Sequence, residues 1–233
     1  MTKKVIILRH VDCEGPGYLL EVLTRKKLPF EIVKIDEGES VPESTADMLA
    51  LVSMGGSMSA NDNLPWIAAE LTLIRNAIDQ GLPVLGHCLG GQFIAKALGA
   101  QITANPVREI GWFDVRSSDN SEAHRWLAEL PEKFEVFHWH GETFSTPKRG
   151  ENILSSEHCE NQCFAFDNVL GFQCHIEMTQ ELVEEWARRF KNEINPESET
   201  EQSAELLVVN LQSRIDNLNR IADKIYERWI STF

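Results

Sequence analysis

Pro83-Val84-Leu85-Gly86-His87-Cys88-Leu89-Gly90-Gly91-Gln92 reads as a strand, a sharp turn and the opening of a helix. Gly86 and Gly90 flank Cys88 in the order small–x–nucleophile–x–Gly, at the two positions where a Cβ would crowd a tight strand-to-helix turn. Such a turn lifts its central side chain out of the sheet. The partial positive charge at the helix start favours a thiolate there. The same letters also suit a buried structural cysteine or a phosphate-binding turn, so the chemistry needs a second element. The fold needs less, because a strand running straight into a helix is one half of a βαβ unit.

The flanking sequence repeats that unit. Val5–Leu8, Phe30–Ile35, Met48–Met54 and Leu82–Gly86 are short apolar or alternating runs expected as strands. Tyr18–Lys27, Pro65–Gln80 and Leu89–Leu98 carry apolar residues at helical spacing, and Gly81 and Gly99 close the last two. Strict alternation predicts an α/β fold, a mostly parallel sheet with helices on both faces. From Ile102 to Phe172 short strands and turns dominate, as where such a sheet continues into antiparallel hairpins. Thr179–Phe190 reads as a further helix. A polar, acidic break follows at Asn195–Glu201. Beyond it Leu211, Ile215, Leu218, Ala222, Ile225 and Trp229 mark a C-terminal amphipathic helix. The chain is therefore expected to divide into a domain over 1–194 and, over 195–233, an acidic linker with its helix. That helix would pack on its own domain or on a second copy of the chain in a homodimer.

The 233 residues carry 22 Lys and Arg against 36 Asp and Glu, a formal charge of −14, which disfavours phosphate backbones and anionic lipid. Neither nucleic acid nor membrane is an expected partner. No run approaches the ~20 apolar residues of a spanning helix. Cys13, Cys88, Cys159, Cys163 and Cys174 are odd in number and scattered, as free thiols in a reducing cytoplasm would be. Cys159 and Cys163 lack two further partners at metal-ligand spacing, so no metal is expected.

The second chemical element is Gln173-Cys174-His175-Ile176-Glu177. In extended backbone His175 and Glu177 project to one side. A histidine taking the thiol proton, with a carboxylate fixing its tautomer, is triad logic in a Cys-His-Glu form. Spacing alone cannot join His175 to Cys88, and His10, His87, His124, His138, His140 and His158 compete for the role.

Read together, Gly86–Gln92 and Gln173–Glu177 resemble the class I, triad-type glutamine amidotransferase family, in particular stand-alone members related to the glutaminase domain of GMP synthase. Met54–Asp62, Glu109-Ile110-Gly111-Trp112 and Phe137–Phe144 match further motifs, in family order, over roughly residues 5 to 190. The resemblance implies a flavodoxin-like domain that cleaves a γ-glutamyl amide through a thioester on Cys88. His175 would serve as acid and base, and Glu177 would hold it. Backbone N–H groups of Leu89 and of the Gly55-Gly56 turn would meet the oxyanion, at about 3–4 kcal/mol per donor. Gln92 would hold the substrate, and His140 and Glu142 would line the pocket. Gly91, Ile176 and Glu142 stand where many members carry His, Pro and Asp.

Three functions follow. One is a glutaminase that hands ammonia to a synthase; about 40 residues after the family-like region are too few for an ATP-using module, so the synthase would be a separate subunit. The second is a stand-alone γ-glutamyl peptidase or hydrolase. The third, a non-catalytic binding protein, leaves an intact Cys88, His175 and Glu177 without a purpose. Neither enzymatic route calls for a cofactor.

Overall fold

The computed structural model describes residues 3–233. Strands β1 (Lys4–Arg9), β2 (Phe30–Lys34), β3 (Met48–Ser53) and β4 (Val84–His87) alternate with helices α1 (Tyr18–Arg25), α2 (Pro65–Asp79) and α3 (Leu89–Ala97). The middle of the chain supplies β5 (Ile102–Ser117), α4 (Ser121–Leu127), β6 (Lys133–Phe144), β7 (Glu151–Ser156), β8 (Cys163–Phe166) and β9 (Val169–Phe172). Helices α5 (Gln180–Arg189), α6 (Ala204–Leu207) and α7 (Leu211–Ile230) complete it.

The nine strands of the described residues form one sheet in the order β2-β1-β3-β4-β9-β8-β7-β5-β6. The first five are mutually parallel, and the rest continue antiparallel from β9. Both faces are covered. Val5 and Ile7 of β1 join the core beneath α1, α5 and α7, whereas Ile6 and Leu8 join the core beneath α2 and α3. Burial on both faces is why β1 is continuously apolar instead of alternating. The chain runs from β1 outward to β2, then back across β1 to β3, which makes the C-terminal ends of β1 and β3 a topological switch point. Open α/β sheets place their ligand sites at such a point.

The acidic stretch after α5 is fastened to β5. Ile110 N–H donates to the Thr200 carbonyl (3.0 Å), and Gln202 N–H donates back to Ile110 (2.8 Å). The Gln202 side chain brackets Trp112, accepting from its N–H and donating to its carbonyl. Gly111 (φ +119°) gives the Gln202 side chain room that any Cβ would fill. Helix α7 buries Leu211, Ile215, Leu218, Ile221, Ala222, Ile225, Tyr226 and Trp229 in the same core as β1, α1 and α5. Among the described residues no helix is long and apolar enough to cross a membrane.

Because α7 shares the core of the sheet, truncating it should unsettle the whole domain. Ile225→Ala is expected to cost about 2–4 kcal/mol in urea unfolding, with one transition retained. A loss under about 0.5 kcal/mol, the level of a surface change, would contradict this packing.

Candidate active site

Cys88 lies between β4 and α3 with φ 49° and ψ −109°, a left-handed conformation that costs a non-glycine residue about 1–3 kcal/mol. The turn closes this tightly because its neighbours lack side chains. A Cβ on Gly86 would strike the Gly90 backbone, and one on Gly90 would strike the Ser53 carbonyl. Gly91 abuts the Phe172 carbonyl and has no space for a Cβ either. Cys88 opens on a cavity of about 350 Å³ and is otherwise buried.

His175 and Glu177 follow β9, the strand beside β4. The His175 backbone exchanges hydrogen bonds with Phe137 of β6, N–H to carbonyl at 2.8 Å in one direction and 3.3 Å in the other. Trp186 of α5 packs edge-on to its ring at 5.1 Å. His175 Nδ1 is 2.6 Å from Glu177 Oε1, and both side chains are almost fully buried. The carboxylate can only accept there, so Nδ1 carries the hydrogen and Nε2 is turned away from it. Nε2 is in no well-formed hydrogen bond. Cys88, His175 and Glu177 are thus buried close together.

The electrostatics couple the three groups. Burial disfavours the imidazolium, but Glu177 and the Cys88 thiol outweigh it and hold His175 well above its ordinary value. Burial likewise favours a neutral Glu177, but the His87 and His175 rings hold it down to about 2. The histidine is therefore a strengthened base resting on an ionised carboxylate.

The turn after β3 is braced from below. His10 Nδ1 lies 3.1 and 3.2 Å from the Met54 and Gly55 carbonyls, and Nε2 lies 2.9 Å from Glu70 Oε2. Nδ1 faces only carbonyl acceptors and so carries a hydrogen; burial opposes a charged ring, but Glu70 raises the pKa. Gly56 and Leu89 line the cavity with Cys88, whereas Gly55 lies beside the Glu14 carboxyl. Gln92 reaches the cavity too, and its amide donates to Gln173 Oε1 (3.1 Å), whose own amide is 3.6 Å from Cys88 Sγ. His140 and Glu142 form part of the wall.

Several lining residues carry no chemistry that the sequence alone assigns to them. Trp139, Trp186 and Phe190 make an aromatic side. Glu14, between β1 and α1, faces the cavity; burial, reinforced by Glu177, lifts its pKa to about 7 against the opposing His175. Only the fold could reveal it. Of the competing histidines, His124 is exposed beside Asp119, and burial lowers His138 to about 3.

His140 closes a second buried cluster. Its Nδ1–H donates to the Glu142 carbonyl (3.0 Å), and Nε2 lies 3.0 Å from Glu109 Oε2. Glu109 also accepts from Ser156 and from Gln162, each at 2.7 Å. Glu109, His140 and Cys159 bring ligand atoms within 4.8 Å of one another, a grouping scattered along the sequence. Each is already engaged by a protein neighbour, Cys159 Sγ by Thr143 at 3.2 Å. The cluster is therefore a satisfied polar brace behind the cavity wall.

Burial favours a neutral Glu109, yet the His140 and Ser156 hydrogen bonds hold it at about 2. A carboxylate depressed in this way stabilises the fold above its ordinary value of 4.5 and loses that contribution as pH falls toward about 2. Urea midpoints measured across that window should fall less steeply in Glu109→Gln than in the wild type. Parallel slopes would contradict the pairing.

The class-I glutamine amidotransferase family model matches residues 12–191. The glutamine amidotransferase-like protein YfeJ of Salmonella typhimurium is 28% identical over 95% of this chain and 97% of its own length. A glutamine amidotransferase structure from Methylobacillus flagellatus superposes with a TM-score of 0.96 at 40% identity, covering 100% of this chain and 96% of the other. The glutamine-hydrolyzing GMP synthase of Azoarcus sp. is 27% identical over 62% of this chain, which spans only 28% of that enzyme. The motifs and the elbow lie within the matched region, and the chain belongs to the class-I glutamine amidotransferase family.

Proposed function

We propose that the protein hydrolyses a γ-glutamyl amide, with Cys88 as nucleophile and the His175–Glu177 pair as its base. The observation that carries this reading is the Cys88 thiol at a strained elbow, open to a cavity and electrostatically coupled to a buried imidazole on a carboxylate. The thiolate attacks the γ-carbonyl carbon, a C–S bond forms, and the carbonyl electrons move to oxygen. Leu89 begins a helix whose first N–H groups have no intrahelical acceptor, so its N–H is free to meet that oxyanion, joined by the Gly55-Gly56 turn. As the intermediate collapses, the C–N bond breaks and the leaving nitrogen takes its proton from His175. Ammonia or an amine departs and a γ-glutamyl thioester remains. His175 then takes a proton from water, the hydroxide adds to the thioester, and the C–S bond breaks. Glutamate leaves and the thiol is restored.

Gln92 and Gln173 position the glutamyl group in this reading, and His140 and Glu142 shape its pocket. Residues 1–194 are the hydrolytic unit, and 195–233 are its C-terminal addition. A reducing cytoplasm would keep its five unpaired cysteines available as thiols. The likeness to glutamine-hydrolyzing GMP synthase supports a separate synthase subunit as receiver of the ammonia. The aromatic side formed by Trp139, Trp186 and Phe190 favours a second reading, a stand-alone γ-glutamyl hydrolase whose leaving amine is larger than ammonia.

A diazo-ketone analogue of glutamine should label Cys88 and abolish ammonia release, and Cys88→Ala should lose at least about 10³-fold in rate without unfolding. Labelling that persists in Cys88→Ala, or that falls on the buried Cys163, would exclude the mechanism. Comparing glutamine with γ-glutamyl dipeptides separates the two readings.

A further inference from the structure

Glu177 has a second oxygen, and the ring that faces it is contacted from behind by the far end of the chain. Oε2 lies 3.2 Å from His87 Nδ1, the ring immediately before the nucleophile; this approach falls short of a well-formed hydrogen bond, and neither atom has a hydrogen-bond partner elsewhere among the described residues. The other nitrogen of His87, Nε2, is 3.1 Å from the Tyr226 hydroxyl on α7. His87 and Tyr226 are wholly buried, and the His87 ring lies flat on Phe172 at 5.5 Å. A chain of polar contacts therefore runs from α7 through Tyr226, His87 and Glu177 to His175.

The direction of the hydrogens along this chain follows from elementary chemistry. Oε2 is an acceptor, so a neutral His87 must turn its single N–H, on Nδ1, toward it. Nε2 is then a lone pair in an apolar setting, and the Tyr226 hydroxyl is the donor that meets it. Burial keeps His87 neutral and keeps the Tyr226 phenol protonated, as this arrangement requires. Donation to Nε2 polarises the ring and makes its Nδ1–H the stronger donor. We infer that Tyr226 is a positioning residue of the active site, which fixes the tautomer of His87 so that His87 and His175 hold Glu177 from its two sides. The C-terminal helix is thereby part of the machinery as well as part of the core. The inference rests on the proposed roles of Cys88, His175 and Glu177.

Other titratable groups face the same cluster: Cys88 from the start of α3, Glu14 and His10 from beyond β1, His138 from β6, Cys174 beside His175, and Tyr18 from α1. They are common to every variant below, so differences between variants isolate the relay.

Tyr226→Phe keeps the ring and removes only the hydroxyl. It should lower kcat about tenfold with KM within about twofold, the loss expected when one buried hydrogen bond to a charged network weakens. With a poorer donor on Oε2, Glu177 becomes more basic and the NMR titration midpoint of the His175 imidazole should rise. In a His87→Leu background the Tyr226→Phe change should have no further effect, because the connecting ring is gone. Additive losses, or an unmoved His175 midpoint, would overturn the inference and leave Tyr226 a packing residue. Should Tyr226→Phe fold poorly, fluorotyrosine incorporated into Tyr18→Phe labels position 226 alone, since the chain has 2 tyrosines. The more acidic phenol is a better donor and should move the midpoint downward, and an upward or absent shift contradicts the relay. If the wild type hydrolyses no γ-glutamyl amide, the proposed activity fails, and the imidazole midpoints alone decide the relay.

Discussion

A carboxylate cut off from water is costly unless polar groups gather around it, and Glu177 is the point where this protein faces that demand. His175 takes one oxygen at 2.6 Å and His87 faces the other at 3.2 Å. The backbone carbonyl of the same residue accepts from Tyr18 N–H at the start of α1 (2.8 Å), where Gly17 (φ 45°) passes too close for any Cβ. Elements distant in sequence are thus registered against one side chain. Its carboxyl, with a pKa held down to about 2 despite burial, raises the basicity of the histidine beside Cys88.

The sheet makes this convergence possible. The C-terminal ends of β1, β3, β4 and β9 deliver, in turn, His10 and Glu14, Gly55 and Gly56, Cys88, and then His175 and Glu177. These strands are parallel neighbours, so their ends share one edge of the sheet and the side chains meet without long loops. Strain at Cys88 is tolerated because the turn is fixed on both sides, by Gly90 against Ser53 and by Gly91 against Phe172. The antiparallel half contributes the cavity wall through Trp139, His140 and Glu142, with the Glu109 cluster stiffening it from behind.

Much of this architecture was legible in the sequence because it is local. The apolar runs of β1 to β4, the glycines at helix ends and the three-to-four spacing of α7 follow from short-range rules, and structure and expectation agree within a residue or two at most boundaries. The elbow was legible because only glycine fits where Gly86 and Gly90 lie. Contacts that join distant segments were hidden. His87 read as one more histidine until α7 brought Tyr226 to it across 139 positions. Glu14 carries no pattern, and its role as a cavity carboxyl depends on where the β1–α1 loop folds. The acidic run after α5 looks like a tether by composition, yet its backbone is bonded to β5. Glu109 and His140 were visible as parts of motifs, but their pairing depends on the β5–β6 register that sets them opposite one another.

In the proposed chemistry one sulfur carries the glutamyl group between two proton transfers managed by a single imidazole. Acid-quenching the protein during turnover of a γ-glutamyl amide, then mapping the peptide that has gained a γ-glutamyl mass, tests it most directly. An adduct on Cys88 that decays with turnover and never forms in His175→Ala is expected; turnover without an adduct, or an adduct on another residue, would contradict the proposed chemistry.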